Sequence, residues 1–195
     1  MAIVASHRAR FQRRRYRLPL LLHPVTLVRR VTSVGDSRMR TAVSTVIFQM
    51  TISIRSSRPS DFPRTLDIWR SAVMATHDFL TVEDFAAIEE MVATQYLPQA
   101  ELWIAADVGG IALGLMGMTG AQIDALFVHA DARGGGVGRA LVEHAAALHP
   151  VLTVDVNEQN ASGAGFYARL GFETTGRSPV DDDGRPYPLL HLRRS

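Results

Sequence analysis

The chain of 195 residues contains no cysteine and no lysine. Without cysteine there is no disulfide framework, no thiolate metal site and no cysteine nucleophile. Without lysine a Walker phosphate loop, which ends in Gly-Lys-Ser/Thr, is excluded. The apolar cluster Leu18-Pro19-Leu20-Leu21-Leu22-His23-Pro24 is broken by prolines. It falls far short of the ~20 apolar residues that cross a membrane. It also lacks the clean apolar region and small-residue cleavage site of a signal peptide. The dinucleotide fingerprint Gly-x-Gly-x-x-Gly is missing too: its third position is Arg139 counted from Gly134, and Leu141 counted from Gly136. Metal ligation by histidine has little support, because His144 and His149 are five residues apart and no His-Glu-x-x-His occurs.

Acidic residues are nearly absent from one end only. Residues 1–49 hold ten arginines and a single acid, Asp36, a net charge of +9; residues 50–195 carry −7. The overall +2 therefore describes an extension, not a nucleic-acid-binding surface on the body, and a nucleic-acid partner is not expected. Three readings of residues 1–49 stand open. They are a mis-assigned start with Met50 the true first residue, a solvated disordered arm that touches nucleic acid or an acidic partner, or an organelle transit peptide.

What is present, first, is Arg133-Gly134-Gly135-Gly136-Val137-Gly138-Arg139 between an apolar strand pattern over 123–128 and a helical pattern beginning at Ala140. A glycine-rich turn that opens a helix presents unhindered N–H groups and the positive end of the helix dipole. Arginine adds a charged fork that suits phosphate oxygens. Taken alone, this stretch is also readable as a β-to-α turn without a ligand.

Second is Val156-Asn157-Glu158-Gln159-Asn160, followed by Ala161-Ser162-Gly163-Ala164-Gly165-Phe166-Tyr167 and an exit at Gly171-Phe172. Asn160 suits a helix N-cap, and Gly171 the residue just past a helix end. The Arg-x-x-Gly-x-Gly spacing of Arg133, Gly136 and Gly138 resembles the pyrophosphate loop of the GNAT superfamily of acetyl-CoA-dependent N-acetyltransferases. The second segment is similar to that superfamily's asparagine and Phe-Tyr helix. Residues from about 50 to 193 further resemble the YjaB group of bacterial GNAT proteins, to which peptidyl-lysine acetyltransferase activity is attributed. The stretches carrying this are Ile52-Ser53-Ile54-Arg55, Ala75-Thr76-His77-Asp78-Phe79-Leu80, Asp124-Ala125-Leu126-Phe127, Val156-Asn157-Glu158-Gln159-Asn160 and Gly184-Arg185-Pro186-Tyr187-Pro188-Leu189-Leu190-His191-Leu192.

Element signals over the body read β-α-α-β-β-β-α-β-α-β-β. Ser60 is read as the cap of the first helix and Thr81, with Asp84 three residues on, as the cap of the second, which stops at Pro98. A hairpin turns at Gly109-Gly110, and Pro186 and Pro188 suggest that the last strand is an edge or distorted one. The resemblance implies an α/β GNAT fold in which a mixed, splayed central sheet carries helices on both faces.

The resemblance also implies roles. The backbone of Leu126 and Val128 would pair with the pantetheine arm, and the Val128 amide would face the thioester oxygen. Ala130 stands where the family commonly has proline, so the bend there must be set by other contacts. Arg133, Gly134, Gly136, Val137, Gly138 and Arg139 would hold the pyrophosphate, with Asn160 and Phe166 completing the cofactor side. Tyr167 would protonate the departing thiolate. His77, Asp78, Asp155 and Asn157 border the acceptor side, and none is singled out as the base. The expectation is an N-acetyltransferase that uses acetyl-CoA as co-substrate and no metal, acts on a protein lysine or small-molecule amine by direct attack, and works in the cytoplasm as a monomer or homodimer without a membrane. The alternative is a non-catalytic acyl-CoA-binding regulatory module.

Overall fold

Residues 24–27 and 50–195 are described by the structure, a computed structural model. One eight-stranded sheet runs in the order β1-β2-β3-β4-β5-β6-β8-β7. Its strands are β1 (Pro24–Leu27), β2 (Met50–Ser56), β3 (Leu102–Ala106), β4 (Ala112–Thr119), β5 (Gln122–Val128), β6 (Leu152–Asn157), β7 (Glu173–Ser178) and β8 (Leu189–Arg194). The helices are α1 (Phe62–Met74), α2 (Val82–Met91), α3 (Val137–Leu148) and α4 (Ala161–Ala168). Strand β1 pairs antiparallel with β2, so four residues of the basic extension join the sheet. The rest of residues 1–49, on which the three readings of that extension bear, lies outside the described residues.

The core is double because the sheet is covered on both faces. In β3 all five residues are buried: Leu102 and Ile104 face the layer of Ile68, Trp69 and Val73 of α1, while Trp103 and Ala105 face Leu141 and Val142 of α3. Period-two alternation divides one strand between two apolar layers. Fully burying an aliphatic side chain contributes about 1.5–3 kcal/mol, so these layers fix the orientation of the sheet relative to α1 and α3. Among the described residues no helix is long and apolar enough to cross a membrane.

Two expectations are corrected. Ser60 does not cap the first helix. A 3-10 turn at Pro59–Asp61 precedes α1, and the Asp61 carboxylate accepts from the Arg58 N–H at 2.8 Å. Nor is the last strand an edge: β8 lies between β6 and β7. Pro186 and Pro188 fall just before its first residue, where no ladder donor is required of them. Thr81 does cap α2, accepting from the Asp84 N–H at 3.1 Å, and the helix continues as a π-helical turn over Val92–Tyr96.

Candidate active site

Strands β5 and β6 run parallel but pair at two positions only, Gln122 with Thr153 and Ile123 with Val154. Beyond Ile123 they separate. A bulge starts the divergence: Met118 faces Ile123 and Gly117 faces Ala125, which leaves Asp124 as the extra residue. The His129 N–H donates to the Leu113 carbonyl on the β4 side at 2.9 Å. Alternation along the strand then aims the backbone groups of Leu126 and Val128 away from β4, into the gap. On the other side the Glu158 N–H donates to Pro188 at 2.8 Å, so the backbone groups of Asp155 and Asn157 face the gap from β6. An unpaired stretch of this kind is a ready partner for an extended amide-bearing ligand.

The chain leaves β5 through a 3-10 turn at Ala130–Ala132. With no proline at position 130, the bend is held by the Ala130 N–H, which donates to Ser71 Oγ of α1 at 3.0 Å. Gly134 and Gly136 then take φ of +74° and +84°, a region costly for residues with a Cβ. Gly136 is the N-cap of α3 and has no side chain to satisfy the first-turn amides. The N–H groups of Val137, Gly138 and Arg139 therefore have no acceptor within the helix. The Val137 side chain is buried, while those of Arg133 and Arg139 are exposed. Arg133 Nη1 donates to the Ala75 carbonyl at 3.4 Å, which lays its guanidinium across the end of α1. A groove of about 390 Å³ adjoins this point, lined by Met74, Ala75, Thr76 and Asp78 and by residues 159–162 at the start of α4.

Helix α4 is capped by Asn160, whose Oδ1 accepts from the Gly163 N–H at 2.9 Å. Gly171, at φ +84°, reverses the chain after it. Tyr167 is fully buried, stacked edge-on between Phe166 and Phe172 at centroid distances of 5.0 and 5.1 Å. Among the described residues its hydroxyl has no hydrogen-bond partner. Burial pushes the phenol well above its ordinary range, so it holds its proton at neutral pH. Asn160 Nδ2 and both polar atoms of Asn157 are likewise buried without a partner. Buried polar atoms are costly when unpaired. Their grouping along β6 and α4, beside amides that face a gap, fits a ligand rich in amide and phosphate acceptors.

On the acceptor side, His77 is buried in the α1–α2 connection, its Nδ1 2.7 Å from Thr76 Oγ1. Its ring packs on Phe79, and Phe79 packs on Tyr187 of the β7–β8 connection. Tyr187 donates its hydroxyl to Asp84, whose carboxyl that bond holds below its ordinary range. Arg185 pairs with Asp181 at 3.1 Å and Asp183 at 2.9 Å. The β7–β8 connection is thereby tied to the start of α2. Asp155 and Asn157 share one face of β6, and Asp78 is exposed at the rim of the groove. The structure brings Asp155 to the fork of the strands, whereas His77 is part of an aromatic ladder.

Sequence reasoning passed over His191, Ser178 and Asp124. Asp155 Oδ1 lies 2.6 Å from His191 Nδ1, and His191 Nε2 lies 2.8 Å from Ser178 Oγ. A lone histidine in the apolar run Leu189-Leu190-His191-Leu192 was the available signal. Its partners come from two other strands, and their register is not written in any one of them. Among the described residues no group of three or more His, Asp or Glu side chains stands together in a way that would hold a metal ion.

Comparison with known proteins agrees with the fold. A family model described as an acetyltransferase (GNAT) domain matches residues 98–174. The chain is 50% identical over 143 residues to the peptidyl-lysine N-acetyltransferase YjaB of Salmonella typhimurium, covering 73% of this chain and 98% of that protein. It is equally identical to YjaB of Escherichia coli K12, covering 97% of it. The solution structure of apo YjaB from Escherichia coli superposes with a TM-score of 0.70 at 49% identity, over 73% of this chain and 96% of that one.

Proposed function

The chain belongs to the GNAT acetyltransferase family and is an N-acetyltransferase, and from that premise we propose that it acetylates the side-chain amine of protein lysines with acetyl-CoA. The observation that carries the reading is the fork of β5 and β6 with the unpartnered Tyr167 hydroxyl on the helix that packs against β6. The two YjaB peptidyl-lysine N-acetyltransferases, 50% identical to this chain over nearly their whole length, support the lysine acceptor. The reading includes work in the cytoplasm.

Acetyl-CoA supplies an acyl group already activated as a thioester. The residues present fit it. The free first-turn amides of α3, with Gly134, Gly136 and Gly138 allowing close approach and Arg133 and Arg139 adding charge, form the cradle for its pyrophosphate. The inward amides of Leu126 and Val128 align the pantetheine arm. The Val128 N–H would serve as donor to the oxygen on which charge builds, and one such donor contributes about 3 kcal/mol. Asn160 and the Phe166 ring border the arm from α4. Tyr167, protonated because it is buried, gives its proton to the departing sulfur.

The test is thiol release with lysine-containing peptides and acetyl-CoA, the product being identified by mass. Release that requires an unblocked lysine ε-amine supports the reading. Release with N-terminal or small amines, and none with the lysine peptides, rejects the lysine acceptor.

A further inference from the structure

One face of the β5–β6 gap is closed. Leu126 and Val128 of β5, Val154 and Val156 of β6 and Tyr167 of α4 share a single apolar layer there. Alternation turns Asp155 and Asn157 to the opposite face, so a second substrate meets the gap from that side. Two connections border it. Residues 74–76 and 78, at the end of α1 and just beyond, share a groove with residues 159–162 past the end of β6. The β7–β8 connection is held to the end of β6 by the Glu158 N–H, which donates to the Pro188 carbonyl at 2.8 Å. Its Asp182 lies close enough to Asp155 for their charges to interact.

Tyr187 clasps the two connections together across this mouth. Its hydroxyl accepts from the N–H of Thr81, 106 residues away, at 3.3 Å and donates to the Asp84 carboxylate. The ring, only 4% exposed, packs on Phe79 at 5.8 Å, and Phe79 packs on His77 at 5.2 Å. Arg185 adds a longer contact to the same Asp84 at 3.8 Å. The turn before Tyr187 is stiff in itself. The Asp181 N–H donates to the Arg185 carbonyl at 3.1 Å, and Asp181 Oδ1 accepts from the Arg185 N–H at 2.7 Å. A stiff turn tied at one point to the start of a helix moves as one piece, so the Tyr187–Asp84 bond sets its distance from α2.

We infer that Tyr187 is a positioning residue for the acceptor: by holding the β7–β8 connection to α2 it fixes the opening through which the amine-bearing side chain reaches the gap. The inference rests on the acetyltransferase reading above. An opening already set before the acceptor arrives removes the ordering cost that binding would otherwise carry. On the same reading acetyl-CoA is anchored at the start of α3 and along β5, so its binding is independent of the clasp.

The test measures KM and kcat for a lysine peptide, and acetyl-CoA affinity by calorimetry, in Tyr187→Phe, Asp84→Ala and the double variant. Tyr187→Phe keeps the ring on Phe79 and deletes only the hydroxyl. In each variant the peptide KM should rise by about five- to tenfold, the equilibrium worth of one hydrogen bond. At saturating peptide kcat should change less than about twofold, and acetyl-CoA affinity should hold. The double variant should be no worse than the single ones, since all three lose the same bond. Asp84→Ala also removes an acid from the first turn of α2, so Tyr187→Phe decides where the two single variants disagree. An unchanged peptide KM in Tyr187→Phe, additive losses in the double variant, or an equal loss of acetyl-CoA affinity would overturn the role of Tyr187. The wild type tests the underlying reading separately: absence of acetyl-CoA binding or of peptide acetylation there rejects the reading on which the inference rests.

Discussion

The Phe166 ring occupies the space that a side chain at Gly138 would need: a β-carbon there would lie 3.1 Å from Phe166 Cζ and 3.3 Å from Cε2. Gly138 is therefore a contact between α3 and α4 as much as a member of the proposed phosphate loop. Since Tyr167 follows Phe166 on the same short helix, displacing the ring displaces the hydroxyl. Because the ring must give by only a few tenths of an ångström, Gly138→Ala should lower kcat a few-fold and lower Tm slightly. Adding Phe166→Leu should recover part of both losses. Thermal melting and steady-state kinetics on the single and double variants measure this, and a double variant no better than Gly138→Ala would refute the coupling.

Gly136 and Arg133 serve the proposed pyrophosphate cradle in different ways. Gly136→Val forces a branched residue to φ +84° at the N-cap, at a cost of about 1–2 kcal/mol, and crowds the approach to the first-turn amides. Arg133→Ala removes an exposed charge and its long 3.4 Å bond to the Ala75 carbonyl. Acetyl-CoA affinity by calorimetric titration should fall in both and further in Gly136→Val, while only Gly136→Val loses thermal stability. Unchanged affinity in both would move the anion site elsewhere.

Tyr167→Phe separates stability from chemistry. The buried hydroxyl has no partner among the described residues, so deleting it removes no hydrogen bond seen there and lifts a desolvation cost. Tm should stay equal or rise, and acetyl-CoA affinity should hold. The rate of the chemical step should drop by about 10²–10⁴. Rapid-quench rates at the wild-type level would reduce Tyr167 to a packing residue.

The acid sensitivity of the fold has a named contributor. Arg55 donates to both oxygens of Asp61 at 2.7 and 2.8 Å, and these bonds, with the Arg58 N–H, hold the Asp61 carboxyl below its ordinary range. A carboxyl lowered on folding contributes stability above its unfolded value of about 4 and loses it as pH falls through the folded value. Asp61→Asn should therefore be less stable than wild type at pH 7 by about 1–3 kcal/mol. The gap should narrow steadily below about pH 4. Urea unfolding across that range measures it, and a gap independent of pH would assign the effect to packing.

Short-range information was enough for most of the elements and for the glycine-rich turn that opens α3. Thr81 and Asn160 act as the caps their side chains announced, because a cap is satisfied by an amide two or three residues on. The glycines at 134, 136 and 171 adopt positive φ where turns demand it. Leu126 and Val128 face the gap because alternation along a strand is a local property. Three things had to wait for the tertiary structure. Strand order placed β8 inside the sheet, although two prolines just before it suggested an edge. The bend after β5 rests on Ser71, 59 residues away, in place of a proline. The chain Asp155–His191–Ser178 joins three strands whose register is decided by the whole ladder of backbone hydrogen bonds and the cores on either face. A residue's own neighbours determine its backbone state; which distant side chain meets it depends on how every layer packs.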